Sequence, residues 1–199
     1  MVSVVDYRAG NLNSVVNAFR FLGAQCEIID TPEQVSNAER LVLPGVGAFG
    51  WAASALQASG LDEPLRQHIN QNRPFLGICL GLQLLFESSE ESPGAKGLGV
   101  FKGEIKRLEA PGLKIPHIGW NSINVVQKGD LFGNLPQNEY FYFVHTFCAV
   151  ARDRQLCAAT AEYGQTFDAA VMRGNTAATQ FHPEKSGDSG LAILKNFLS

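Results

Sequence analysis

The chain has 199 residues, of which 45% are hydrophobic and 18% are charged, so it is long and apolar enough to fold around a full hydrophobic core. Its formal net charge of −3 argues against nucleic acid or an anionic membrane as a partner. No apolar run approaches the roughly 18 residues that cross a bilayer, and the first residues carry no basic leader, so we expect no signal peptide and a cytoplasmic protein.

Strands and helices alternate through the first half of the sequence. The hydrophobic pattern predicts strands at residues 2–5, 26–29, 40–43 and 74–78. It predicts helices at 11–22, 49–59, 61–72 and 80–88, with Gly23 ending the first helix and Pro44 ending the third strand. Strands that alternate with helices pair in parallel and pack crossover helices against the faces of one sheet.

Short strands follow one another in the second half of the sequence. They are predicted at 100–108, 121–126, 140–144, 156–162, 167–172 and 177–181, with a hairpin turn at 173–175 and a last helix at 190–197. Residues 91–97 are predicted to form a loop and not a domain boundary. We therefore predict one α/β domain over residues 1–199, with a central, mostly parallel sheet flanked by helices and antiparallel strands in the C-terminal half.

A cysteine between glycines follows the fourth strand, in the run Gly77-Ile78-Cys79-Leu80-Gly81. A buried strand that enters a glycine-flanked nucleophile and leaves as a helix is the pattern of a nucleophile elbow, here with cysteine in place of serine. The start of the helix favours the thiolate, and the amide of Leu80 would face a tetrahedral oxyanion. By itself the run is equally compatible with a buried structural cysteine.

The other cysteines, Cys26, Cys148 and Cys157, form no C-x-x-C pair, which disfavours a zinc site or a redox motif. A core of this size needs no disulfide framework. We expect these three side chains to be free thiols.

His182 is the candidate base among the four histidines. It ends an apolar strand and is followed by Pro183 and Glu184. Residues two apart in an extended segment point the same way, so His182 and Glu184 project together. A carboxylate beside an imidazole fixes its tautomer and supports its charge, as in a nucleophile–base–orienter triad. His68 lies in a polar helical segment and is expected to be solvated.

Residues 45–50 match the G-x-G-x-x-G pattern of dinucleotide-binding loops. That pattern belongs to the first strand–helix turn of its fold, whereas here it follows a later strand. The acidic residue expected roughly 20 positions further on is also missing. A dinucleotide-binding fold is therefore the disfavoured alternative.

An elbow cysteine followed by His-Pro-Glu in the second half of the chain resembles the class I glutamine amidotransferases. Further runs narrow the resemblance to the glutaminase subunits of imidazole glycerol phosphate synthase, an enzyme of histidine biosynthesis. In chain order the runs are DYRAGNL (6–12), PGVGAFG (44–50), GICLGLQ (77–83), PHIGWN (116–121), YFVHT (142–146) and HPEKS (182–186). They cover essentially the whole chain.

The resemblance implies that Cys79, His182 and Glu184 hydrolyse glutamine, with the backbone amides of Gly47 and Leu80 as an oxyanion hole. It implies a substrate pocket formed with Gln83, Glu91, His145 and Thr146. It also implies residues that face a partner protein, namely Asn11, Trp120, Asn121, Tyr142 and Lys185.

The partner implied by the resemblance is a (β/α)₈-barrel cyclase subunit that receives ammonia through a channel, in a heterodimer. No metal or organic cofactor is implied. Two alternatives remain open. One is a related thiol hydrolase, either the glutaminase of another system, such as pyridoxal phosphate synthesis, or a stand-alone enzyme. The other is a non-catalytic module with the same fold.

Overall fold

Strands and helices alternate over most of the chain in the computed structural model, which describes residues 1–133 and 135–199. The strands are β1 (Val2–Val5), β2 (Cys26–Ile29), β3 (Leu41–Gly45), β4 (Phe75–Cys79), β5 (Ser88–Ser89), β6 (Gly103–Arg107), β7 (His117–Val125), β8 (Tyr140–His145), β9 (Phe147–Ala151), β10 (Cys157–Tyr163), β11 (Gln165–Arg173) and β12 (Thr176–Thr179). The α-helices are α1 (Leu12–Phe21), α2 (Pro32–Asn37), α3 (Phe49–Ala58), α4 (Asp62–Asn70), α5 (Leu80–Gln83), α6 (Gly129–Phe132) and α7 (Gly187–Leu198), with 3₁₀ turns at Arg154–Leu156 and Pro183–Lys185.

One sheet contains all of these strands, in the order β2-β1-β3-β4-β12-β11-β10-β7-β8, with β9, β6 and β5 branching from β11. The first five strands of that order are parallel, whereas β11, β10, β7 and β8 pair antiparallel. The predicted fold class is therefore confirmed. Because β12 pairs with β4 from Thr176↔Phe75 to Thr179↔Ile78, the residues that follow these two strands meet at one edge of the sheet.

Helices cover both faces of the parallel strands. Val16 and Phe19 of α1 lie in one hydrophobic core with Ile193 of α7. Phe49 of α3 and Leu65 of α4 lie in the other core, on the opposite face. Each of these side chains is at most 3% exposed, and burial of one such side chain contributes about 1.5–3 kcal/mol. None of the described helices is long and apolar enough to cross a membrane.

The helix after Cys79 is much shorter than predicted, because α5 ends after one turn at Gln83. Leu84, Leu85 and Phe86 are all fully buried, so this apolar run faces the core on every side. The Leu84 and Phe86 carbonyls accept hydrogen bonds from the amides of Leu98 and Gly99. The backbone is therefore satisfied by a neighbouring loop and not by continuation of the helix.

Strand β3 does not end before Pro44 as predicted, but continues through it to Gly45. Only Leu41 and Val42 of β3 pair with β1, so the missing amide of Pro44 lies beyond that ladder. The sequence analysis also missed α2, although Thr31 and Gln34 form a capping box with Pro32 in the first turn.

His68 is buried, and the prediction that it is solvated is wrong. It shares one face of α4 with Leu65 and Ile69, since residues three and four apart lie side by side on a helix. Its ring Nε2 lies 3.0 Å from the carbonyl oxygen of Pro74. A carbonyl can only accept, so this nitrogen carries the proton. Burial lowers the pKa of His68.

Two glycines allow α5 to pack directly on the strands. A β-carbon at Gly81 would overlap the carbonyl oxygen of Leu43 in β3. A β-carbon at Gly77 would lie 2.9 Å from the backbone carbonyl of Gly81. Both obstacles are backbone atoms, so neither contact can be relieved by a change of rotamer.

We predict that Gly81→Ala lowers the free energy of unfolding by about 3 kcal/mol or more, because a buried methyl group would push α5 away from β3. The matched control is Gly133→Ala, where an added β-carbon meets no atom of the described residues closer than 3.4 Å and a change within about 1 kcal/mol is expected. Urea unfolding of both variants measures the difference. Equal stability of the two variants would contradict this account of the turn.

Candidate active site

Cys79 lies on a strained turn between β4 and α5, with φ +54° and ψ −106°. A backbone conformation of this kind in a non-glycine residue costs about 1–3 kcal/mol and is held by the surrounding structure. The predicted nucleophile elbow therefore agrees with the structure. The structure does not agree with the prediction that a long helix after Cys79 supports a negative charge there. A single turn sums few peptide dipoles, so only its unbonded amides remain.

The imidazole of His182 lies between Glu184 and the region of the Cys79 sulfur. Its Nδ1 is 2.8 Å from Glu184 Oε1, and both side chains are 3% exposed. Its Nε2 is buried and makes no hydrogen bond of ordinary geometry to the described residues. Burial favours the neutral ring, but Cys79 and Glu184 outweigh burial and raise the pKa of His182 to about 10. The site thus favours the charged imidazolium form of His182.

A cavity of about 450 Å³ opens above the elbow. It brings Cys79 together with every residue that was predicted for the oxyanion hole and the substrate pocket, Gly47, Leu80, Gln83, Glu91, His145 and Thr146. Gly47 has φ +105°, a conformation that glycine adopts without the penalty paid by other residues.

Gln83 presents only one polar atom to this cavity. Its Nε2 donates to the carbonyl oxygen of Phe147 and to Oε1 of Gln180, both at 3.1 Å. The side-chain oxygen accepts no hydrogen bond from the described residues and is the atom left for a ligand. Gln83 can therefore accept a hydrogen bond from a substrate but cannot donate one without breaking an internal bond.

Glu91 has a structural contact in addition to its place in the cavity wall. Its Oε2 accepts a hydrogen bond of 2.7 Å from the backbone amide of Phe49, at the start of α3. A carboxylate at this position satisfies one of the unbonded amides of a helix N-terminus. Oε1 remains as the oxygen with no such bond among the described residues.

His145 uses both of its ring nitrogens inside the protein. Nδ1 lies 2.9 Å from the carbonyl oxygen of Phe147, and Nε2 lies 3.0 Å from Nδ1 of His117 on the neighbouring strand. Since the carbonyl can only accept, Nδ1 of His145 is protonated and Nε2 accepts from His117. His145 therefore forms the cavity wall without a free ring nitrogen for a ligand.

His117 extends this chain of hydrogen bonds toward the surface. Its Nε2 lies 3.4 Å from Nδ2 of Asn121, and its ring stacks on Tyr163 with centroids 4.0 Å apart. Burial lowers the pKa of His117 to about 4 and that of His145 to about 3. Both rings are therefore neutral at pH 7.

Three of the residues predicted to face a partner, Trp120, Tyr142 and Lys185, lie together at the surface beside the cavity. Trp120 is 56% exposed and meets the edge of Tyr142, and Lys185, itself in the cavity wall, lies over the Tyr142 ring. Asn11 is exposed and binds Ser14. The side chain of Asn121 instead turns inward and donates a 2.8 Å hydrogen bond to the Glu162 carbonyl.

The sequence analysis missed Gln180, whose Nε2 lies 3.6 Å from the Cys79 sulfur. Gln180 lies two residues before His182, so the alternation that places His182 and Glu184 on one side of the segment also places Gln180 there. Tyr7 was also missed: its buried hydroxyl has no partner among the described residues and lies where a β-carbon of Gly45 would be. Burial, with the nearby Cys79, raises the pKa of Tyr7.

Cys26, Cys148 and Cys157 are free thiols, as predicted. Cys148 and Cys157 are buried, and burial raises the pKa of each thiol to about 12. Among residues 1–133 and 135–199, no group of three or more His, Cys, Asp or Glu side chains is placed to hold a metal ion.

Solved structures share this fold. One described as a glutamine amidotransferase has a TM-score of 0.77 and 19% identity and is matched over 100% of both chains. PurLQS from Thermotoga maritima has a TM-score of 0.76 and 19% identity, over 99% of this chain and 96% of that chain. The chain therefore has the fold of solved structures that include a glutamine amidotransferase.

Sequence relatives narrow the assignment. The profile of the family "Glutamine amidotransferase class-I" matches residues 3–199. The imidazole glycerol phosphate synthase subunit HisH of Syntrophotalea carbinolica is 48% identical over 99% of this chain and 98% of its own length. That of Methanothermobacter thermautotrophicus is 46% identical over 100% and 98%. The chain therefore belongs to the class I glutamine amidotransferase family and, within it, to the HisH subunits of imidazole glycerol phosphate synthase.

We predict that the free energy of unfolding falls as the pH drops from about 6.5 toward about 4. In this range His117 and His145 bind protons in the unfolded chain, but their buried rings do not bind them in the native protein. A native pKa below the unfolded value gives stability that is present above the unfolded pKa and is lost on acidification. His182, whose pKa is raised to about 10, stays protonated in the native protein but is only about half protonated in the unfolded chain near pH 6.5. It therefore opposes this slope at the top of the window and adds none in the lower part.

His117→Gln should reduce this slope by up to about 1.4 kcal/mol per pH unit. Urea unfolding at a series of pH values measures the slope, and Trp120→Phe, on the same strand, serves as a control that removes no titrating group. An unchanged slope in His117→Gln would mean that this ring is not neutral in the native protein.

Proposed function

We propose that this chain hydrolyses glutamine to glutamate and ammonia with Cys79 as nucleophile, His182 as general acid and base, and Glu184 as the residue that orients His182. The observation that carries the proposal is the strained Cys79 elbow beside a buried imidazole whose Nδ1 lies 2.8 Å from a carboxylate. We also propose that residues 1–199 form a single domain, since one sheet contains strands from both halves of the chain.

The reaction begins with attack of the Cys79 thiolate on the carboxamide carbon of glutamine. His182, charged because its pKa is raised, gives the Nε2 proton to the leaving ammonia, which leaves a thioester on Cys79. The neutral ring then takes a proton from water, whose oxygen attacks the thioester and releases glutamate. Glu184 holds Nδ1 throughout, so Nε2 is the nitrogen that faces the reaction.

The backbone amides of Gly47 and Leu80 are proposed to bind the oxyanion of both tetrahedral intermediates. They line the same cavity as Cys79, and one donor of this kind typically contributes about 10²–10³-fold to the rate. Gln83, Glu91, His145 and Thr146 surround the rest of the substrate. The free Oε1 of Gln83 accepts from the substrate, and the Glu91 carboxylate suits its α-ammonium group.

The proposed partner is the cyclase subunit of imidazole glycerol phosphate synthase, which uses the ammonia in histidine biosynthesis. The relative from Arabidopsis thaliana, named imidazole glycerol phosphate synthase hisHF, supports this proposal: it is 46% identical, and this chain spans 34% of its length. An exposed surface next to the cavity, with Trp120, Tyr142 and Lys185, suits such an interface. Asn11 is exposed as well. Asn121 would support that surface from within.

We predict that Cys79→Ala abolishes ammonia release from glutamine, while the complex with the cyclase subunit still forms its product from added ammonium salt. The reason is that the thiol serves only glutamine cleavage. A coupled assay for glutamate, and a cyclase assay with and without ammonium, measure the two activities. Cys26→Ala is the matched control and should retain both. Loss of the ammonium-dependent activity in Cys79→Ala would refute this division of labour, and glutamine hydrolysis that survives it would refute the nucleophile.

His182→Ala should lower kcat more than Glu184→Gln does. His182 transfers protons in the reaction, and a general acid–base group of this kind typically raises the rate about 10²–10⁴-fold. In Glu184→Gln, the amide of the new side chain can still contact Nδ1 of His182, and only the support from the negative charge is lost. Glutamate release by variants that are folded by circular dichroism gives the comparison. Equal losses would indicate that Glu184 builds the site and does not merely orient the ring.

A further inference from the structure

A buried amide contacts the sulfur of Cys79 from the segment that also carries His182. Gln180 follows β12, its side chain is fully buried, and its Nε2 lies 3.6 Å from Cys79 Sγ. We propose that Gln180 is a catalytic residue whose amide donates a hydrogen bond to the Cys79 thiolate, favouring ionisation and fixing the direction of attack. This inference rests on the proposed role of Cys79 as nucleophile.

The orientation of the Gln180 amide follows from the carbonyl group of Phe147. A carbonyl oxygen can only accept, so the amide group of Gln83 that lies 3.1 Å away must be its NH₂ end. The same NH₂ lies 3.1 Å from Gln180, which must therefore present its oxygen there. The NH₂ end of Gln180 is then left to face the sulfur.

The hydrogen bond discriminates between the two forms of the thiol. A neutral thiol is a weak acceptor, whereas a thiolate is charged and accepts strongly. The contact with Cys79 is the only hydrogen bond that the Nε2 of Gln180 makes to the described residues, and a buried donor without a good acceptor is penalised. Ionisation of Cys79 removes that penalty, so Gln180 favours the thiolate without adding a charge that would compete with His182.

Other titratable groups act on the same sulfur and must be separated from the effect of Gln180. His182 and Tyr7, which follows β1, both interact with Cys79. Glu184 and His145 act on the sulfur through their interaction with His182. Gln180 differs from all of these because it does not titrate, so Gln180→Met shifts the titration of Cys79 without adding or deleting a titrating group.

Two substitutions of Gln180 test the proposal in the full chain. Gln180→Met keeps the length of the side chain and removes the donor. Gln180→Glu keeps an oxygen that can accept from Gln83 but places an oxygen where the donor was. Cys79 is alkylated with iodoacetamide across the neutral and alkaline range, and mass spectrometry identifies the modified residue.

The midpoint of the pH profile of alkylation should move up by about one pH unit in Gln180→Met, the effect of losing one hydrogen bond to a charged group. It should move further in Gln180→Glu, since a carboxylate would repel the thiolate. The matched control is Gln165→Met, because Gln165 Nε2 makes the same kind of contact, 3.7 Å, with Cys148. The control should leave the midpoint unchanged.

A measurement on the unmodified protein avoids any effect of substitution on folding. The side-chain NH₂ resonances of Gln180 should titrate with the same midpoint as alkylation of Cys79. A flat Gln180 titration, or an unshifted alkylation midpoint in both Gln180 variants, would overturn the proposal. Either result leaves the nucleophile intact, because that role fails only if Cys79→Ala still hydrolyses glutamine.

Discussion

The backbone contact between Gly81 of α5 and the Leu43 carbonyl of β3 is the constraint on which the rest of the site depends. It allows the chain to reverse at Cys79 within one residue, and the resulting strain is held by β4, which lies between β3 and β12. Because α5 has a single turn, the rigidity of the elbow comes from the sheet and not from the helix. The sulfur is thus fixed relative to the segment after β12, which supplies His182 and Gln180.

The carbonyl group of Phe147 gives the polar interior of the site one fixed direction. Since it can only accept, it sets the orientation of the Gln83 amide and the tautomer of His145 at once. The orientation of Gln83 in turn sets that of Gln180, whose amide contacts the Cys79 sulfur. The tautomer of His145 in turn sets that of His117, which contacts the amide of Asn121. A single backbone atom therefore orders both the Gln83 amide and the His145 ring.

The sequence predicted most of the scaffold and the charged centre of the site, because both leave local patterns. Parallel strands appear as short buried runs, and the pair His182 and Glu184 follows from alternation along one segment. What escaped prediction depends on contacts between distant segments. The burial of His68 and the early end of α5 are set by packing from other elements, and the inward turn of Asn121 depends on a carbonyl 41 positions away. Gln180 was missed although its spacing was visible, since an amide facing a thiol has no motif of its own.

The central position of β12 has a consequence for biosynthesis of the chain. β12 is bonded on one side to β4 and on the other to β11, although about a hundred residues separate it from β4. While the polypeptide is still emerging from the ribosome, β4 therefore has an open, apolar edge of the kind that invites intermolecular pairing. In the same period the thiol of Cys79 has been made but the imidazole of His182 has not. Under the proposed mechanism, a truncated or unfinished chain therefore carries an unassisted cysteine, and reactivity arises only when the last strand enters the sheet.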